Sequence, residues 1–101
     1  MSPSESDAMM TARIRLAEGV VRRAFAEETI LLNLQTGQYH GLNATAALML
    51  DALEAGQPAG AVATDIAERA GQPVERVEAD IRQLIAGLTE RQLIELDAGP
   101  S

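Results

Sequence analysis

The sequence predicts an α+β fold: a three-stranded antiparallel sheet followed by three helices. Three observations predict it. Two extended, apolar stretches flank Gln35-Thr36-Gly37, a turn in which glycine supplies a positive φ. After Asn43 the apolar residues recur at intervals of three and four, interrupted by Gly56 and Gly71. Hydrophobic residues make up 47% of the chain but aromatic ones only 2%, Phe25 and Tyr39. A core of Ala, Leu, Ile and Val suits short helices packed closely, and 101 residues make one domain.

The elements follow in order. Residues 1–12 are small, polar and aperiodic, which predicts a disordered tail, as does the stretch 97–101; the domain is expected over 13–96. Val20–Phe25 reads as a first strand with a solvated arginine side at Arg22 and Arg23. Thr29–Leu34 is the second, with Ile30, Leu32 and Leu34 on one face. Gln38–Leu42 returns as the third. Such a sheet is too small to stand alone, so helices must cover it.

Asn43 caps the first helix, whose buried face is Ala46, Met49, Leu50 and Leu53, with Gly56 at its end. A second helix runs from about Ala59 to Ala70, with Val62, Ile66, Ala67 and Ala70 inward and Gly71 as its stop. Pro73 opens the third, where Glu75 and Glu78 favour the positive end of the helix. Its apolar stripe is Val74, Val77, Ile81, Leu84, Ile85 and Leu88. Leu93–Leu96 is either a last helical turn or a short closing strand.

Composition removes several functions. There is no cysteine, so disulfides, thiolate metal sites and cysteine nucleophiles are excluded. One histidine, His40, argues against a multi-histidine metal centre or a Ser/His/Asp triad. No cofactor is expected. Absence of cysteine, of an apolar membrane span and of a signal core in Met1–Ala12 leads to a cytoplasmic expectation, with no membrane partner. All eight basic residues are arginines, against 15 carboxylates, for a net charge of −7. Residues 1–26 carry +1 and the remainder −8, so a phosphate backbone is repelled by most of the chain.

Ala67, Gly71 and Val77 stand at helix-turn-helix spacing. That geometry also suits an ordinary three-helix core. On the outward side of the third helix Glu75, Glu78 and Asp80 outnumber Arg76 and Arg82, unlike a helix that reads a DNA groove.

The stretch Thr29-Ile-Leu-Leu-Asn-Leu-Gln-Thr-Gly-Gln-Tyr-His-Gly-Leu-Asn43 resembles the PqqD-like family, which includes recognition elements of pathways that modify ribosomally made peptides. Further matches are Ala67 to Gly71, then Val74, Val77, Asp80 and Ile81, then Leu84 to Leu88, so the resemblance spans roughly Val20 to Leu96. At this length the chain looks like the separate recognition protein of lasso-peptide pathways. The resemblance implies a winged helix-turn-helix relative and a leader segment of a precursor peptide that adds a strand beside the third strand and third helix. The implied leader-binding residues are Gln38, Tyr39, His40, Gly41, Leu42, Arg76, Val77, Asp80, Ile81 and Leu84. The implied partners are that precursor, a separate leader peptidase and a cyclase, with no nucleic acid. Tyr39-His40 departs from the double aromatic often found in the pyrroloquinoline quinone pathway's own member, which points away from that pathway. No protease domain is fused to the sequence, so cleavage would fall to another chain.

An edge strand with unpaired N–H and C=O groups suits such capture, with pockets of side chains setting specificity. For that role the candidates are Tyr39, Leu42, Val77, Ile81 and Leu84. Each residue also has a plainer reading. Tyr39 could pack on the sheet, Gly41 could permit a bend, Asp80 could be solvated, and Leu84 could be core. The leading function is a non-catalytic adaptor that captures the leader and presents it to processing enzymes. The alternative is a winged-helix DNA-binding regulator, and a free-standing enzyme ranks last.

Overall fold

The structure, a computed structural model, describes residues 13–97. The expected tail over 1–12 and most of that over 97–101 lie outside the described residues. The element order is β1 (Arg13–Leu16), β2 (Val20–Ala24), β3 (Thr29–Asn33), β4 (Tyr39–Leu42), α1 (Ala44–Glu54), α2 (Ala59–Ala70), α3 (Val74–Glu90) and β5 (Ile94–Asp97). The three-stranded antiparallel sheet has the order β2-β3-β4, and a second sheet pairs β1 with β5.

That second sheet is new relative to the sequence reading. Arg13 pairs with Asp97 and Leu16 with Ile94, so Asp97 belongs to a strand rather than a tail. Leu93–Leu96 resolves in favour of the strand, with Leu93 and Ile94 buried. Ile14 is buried with them, an anchor with no periodic partner in its short segment.

Alternation in β3 places the apolar Ile30 and Leu32 on one face, as expected, and that face is the outer one. Leu31 and Asn33 face the core, Ile30 and Leu32 are half-exposed on the outer face, and Leu34 lies exposed in the loop after the strand. The reason is Asn33. Its Oδ1 accepts from the main-chain N–H of Gln35 (2.8 Å) and Thr36 (3.1 Å), while Nδ2 donates to the Gln92 carbonyl (2.7 Å). A buried amide with those partners is satisfied, and it locks the hairpin loop onto the turn between α3 and β5. Gly37 closes the loop at φ +78°, as its left-handed role requires.

The three helices cover the inner face of the sheet. Asn43 caps α1, its Oδ1 accepting from Ala46 N–H at 2.8 Å. Gly71 ends α2 in the left-handed conformation (φ 64°), and its N–H donates to the Ala67 carbonyl. Leu50, Leu53, Val62, Ile81, Ile85 and Leu88 are fully buried with Leu31, Leu42 and Leu93. Burying each such side chain contributes ~1.5–3 kcal/mol before conformational entropy is counted. Two inward assignments on α2 shift: Ala70 is exposed and Ile66 only half-buried. Arg22 is not merely solvated. It reaches from the inner face of β2 to α1, pairing with Asp51 (3.0 Å) and Glu54. No helix among the described residues is long and apolar enough to cross a membrane.

Candidate functional site

Among the described residues β4 is paired on one side, with β3 as its neighbour in the sheet. The register sets Leu32 against Tyr39, Leu31 against His40 and Ile30 against Gly41. Asn33 N–H donates to the Gln38 carbonyl at 2.9 Å, which fixes the hydrogen-bonded pair that closes the hairpin. Bonded and non-bonded pairs alternate along an antiparallel ladder, so Leu31/His40 and Thr29/Leu42 are the next bonded pairs. His40 and Leu42 therefore turn their main-chain groups toward β3. Tyr39 and Gly41 turn theirs outward, to the open edge.

Side chains alternate independently of those groups. Tyr39 stands on the outer face, 65% exposed, next to half-exposed Leu32. Gly41 follows on that face, and a Cβ placed there would collide with the Glu28 carboxylate. His40 points inward, half-buried, with its ring near Gly87 of α3. Burial, and then the Arg91 guanidinium, hold the His40 imidazole below its ordinary pKa of 6.5. It is thus a neutral donor and acceptor near pH 7.

Between the end of β4, the start of α1 and α3 lies a cleft of about 450 Å³. His40, Asn43, Asp80 and Gln83 give it a polar rim; Leu84, Met49 and Ala46 supply apolar surface. Helical spacing explains the α3 contribution. Asp80, Gln83, Leu84 and Gly87 are three to four residues apart and so share one flank. The His40 ring packs beside Gly87, its Cε1 3.9 Å from where a Cβ would sit, an ordinary contact distance.

The residues singled out from sequence fall in different places. Tyr39, His40 and Gly41 form the open edge, and Asp80 and Leu84 join His40 at the cleft. Leu42, Val77 and Ile81 are core side chains, 1%, 4% and 0% exposed, and offer no accessible wall. Val77 and Ile81 on α3 serve to seat the helix, and Leu42 to seat the end of β4, rather than to line a pocket. Gln38 closes the hairpin through its carbonyl, and its N–H donates to Thr36 Oγ1 (3.1 Å). Arg76 lies one turn before Asp80, exposed and outside the cleft lining. Asn43, Met49, Thr45 and Gln83 were not anticipated. Asn43 carried a visible capping signal that masked a second role, and Gln83 lies one turn from Asp80 on the same flank.

No group of three or more His, Asp or Glu residues gathers among the described residues in a way that could hold a metal. A second hollow, about 520 Å³, opens between α1 and α2 around Leu48 and Ile66, away from the strand edge. The exposed flank of α3 is acidic at Glu75 and Asp80, and Arg82 is engaged by Glu78 at 3.5 Å. This leaves the α2–α3 pair helix-turn-helix in geometry but ill-charged for phosphate.

The family model of coenzyme PQQ synthesis protein D matches residues 28–94. No curated protein matches the chain. Among solved structures, it is similar to "Lasso peptide synthetase B1 complexed with the leader peptide", at 27% identity and a TM-score of 0.77, covering 83% of this chain and 99% of that one. It is also similar to "TbiB1 in Complex with the TbiA(beta) Leader Peptide", at 29% identity and a TM-score of 0.71, covering 86% and 98% respectively.

Proposed function

The chain belongs to the PqqD family, and from that premise we propose that it is a non-catalytic recognition protein for the leader segment of a ribosomally made precursor peptide. The observation that carries the reading is the open edge of β4, where Tyr39 and Gly41 direct N–H and C=O groups outward beside the α3 cleft. An extended leader adds there as a further strand. Main-chain pairing supplies affinity that tolerates sequence variation, and alternate side chains supply selectivity. Side chains opposite His40 and Leu42 turn toward the cleft, where Leu84 and Met49 offer apolar contact and Asp80, Gln83 and Asn43 offer polar contact. Side chains opposite Tyr39 and Gly41 turn to the outer face.

Both similar structures are of recognition proteins described with their leader peptides, which supports the same ligand class here. Within that reading, the pathway is lasso-peptide assembly. The loaded leader is presented to separate processing enzymes, a leader peptidase and a cyclase. Of the candidate residues, Tyr39, His40, Gly41, Asp80 and Leu84 carry the contact, Gln38 fixes the hairpin that presents the edge, and Leu42, Val77 and Ile81 act by holding the edge and helix in place. Arg76 can meet only a part of the leader that runs past the cleft.

Calorimetric titration with a synthetic lasso-precursor leader peptide tests the proposal. Saturable binding is expected, with amide-exchange protection gained at Tyr39 and Gly41. Absence of binding at high micromolar peptide overturns it. A steeply salt-dependent affinity for duplex DNA would instead favour the regulator reading.

A further inference from the structure

We propose that Glu28 determines specificity by selecting a cationic side chain at the leader position paired with Gly41. The inference rests on strand addition to β4, and goes beyond it by naming the chemistry of one leader position. Continuing the β3–β4 register places Glu28 opposite Asn43, so Glu28 shares the outer face with Ile30 and leans diagonally across Gly41. Its carboxylate occupies the seat that a side chain at 41 would take, with Cδ 3.3 Å from the Cβ position. Only glycine leaves that seat open, so a carboxylate stands where the edge strand has no side chain of its own.

Glu28 is exposed and makes no ion pair or side-chain hydrogen bond among the described residues. Arg23, the cation on the same face, stands opposite Ile30 on the β2 side and forms no salt bridge with Glu28 among the described residues. A strand added to β4 puts the side chain opposite Gly41 on this outer face, where cross-strand partners lie about 5 Å apart. Nothing from Gly41 itself meets that side chain. The nearest chemistry is an unpartnered, exposed carboxylate, which favours Lys or Arg and disfavours Asp or Glu. Two leader residues along, the next outward side chain lies against the exposed Tyr39 ring, a partner for apolar or aromatic groups. The leader's outward face is therefore read as a cation next but one to an apolar residue.

The test is calorimetric titration of the same synthetic leader into wild type, Glu28→Gln and Glu28→Lys, at about 50 and 500 mM NaCl. At low salt Glu28→Gln is expected to bind about two- to fivefold more weakly, the range of an exposed ion pair. Glu28→Lys loses more, and the three proteins converge at high salt. Leaders with each Lys or Arg replaced in turn by Gln identify the paired position, since one of them becomes indifferent to Glu28→Gln. Gly41→Ala, which pushes the carboxylate aside without removing its charge, is expected to reproduce the loss in a folded protein. Equal affinity of wild type, Glu28→Gln and Glu28→Lys at low salt overturns the inference, as does a bound leader segment without Lys or Arg. In those cases strand addition stands, because wild type still binds. No binding by wild type overturns both.

Discussion

Asn33 is the buried polar side chain of the described core, 3% exposed, and three hydrogen bonds satisfy it. Truncation strands two main-chain N–H groups and one carbonyl in part-buried surroundings. Asn33→Ala is therefore expected to lower stability by about 1–3 kcal/mol in urea denaturation, with the hairpin loop loosened first. Asn33→Asp keeps the acceptor but sets a carboxylate against the Gln92 carbonyl, and should fare no better. On α3 Asp80 separates binding from folding, whereas Leu84 couples them. Asp80 is exposed at the rim of the cleft, so Asp80→Ala should weaken leader binding while leaving the melting temperature nearly unchanged. Leu84 is 9% exposed and belongs to both core and cleft, so Leu84→Ala should cost about 2–5 kcal/mol of stability together with leader affinity. Calorimetric titrations with parallel melting curves decide between these outcomes, and unchanged affinity for Asp80→Ala would remove the cleft rim from the site.

Among the elements, β4 bears the sharpest consequence of register. His40 N–H is committed to β3, whereas Tyr39 N–H is not. His40→Pro removes a ladder bond and should lower the melting temperature; Tyr39→Pro spares the ladder and should reduce leader affinity more than stability. Reversal of that order in circular dichroism and titration would mean that the ladder phase is misassigned. The sequence makes β4 recognisable as a strand, through the Gly37 turn and the Asn43 cap, but not which of its donors face out. That depends on the hairpin closing at Asn33 and Gln38, which a four-residue loop permits and periodicity cannot specify. The helices were legible for a plainer reason: α1, α2 and α3 each carry an apolar stripe bounded by Asn43, Gly56, Gly71 or Pro73. Ile30 and Leu32 share a face as their alternation implies, but which face is buried is not legible, because the polar Asn33 lies on the core side. The β1–β5 pair escaped because strands of four residues, joined across the whole chain, leave no local period.

At the scale of the molecule, the uneven charge along the sequence is partly neutralised by folding. Arg15 pairs with Glu95 (2.9 Å) and Arg22 with Asp51 and Glu54, bringing the basic first segment against the acidic remainder. Protonation acts in one direction on this arrangement. The His40 pKa is depressed in the folded state, so the unfolded chain binds more protons as pH falls below about 6.5. Its contribution is thus fully present above that pH and is lost as pH falls toward and through the folded-state value. Melting temperature should fall between about pH 7.5 and 5.5, and His40→Asn should flatten that slope. Equal slopes for the two proteins would show that Arg91 and burial do not bear on the imbalance.

The pairing of Arg13 with Asp97 also has an engineering meaning. Entry and exit of the folded unit sit side by side, so the unit can be spliced into a host loop without stretching either flank, or closed head to tail and reopened elsewhere. The exposed turn at Ala26 and Glu27 is the natural place to reopen it, since neither residue belongs to a strand. A cassette grafted by these ends would carry the β4 edge intact to whatever catalyst hosts it, making recognition a transferable part.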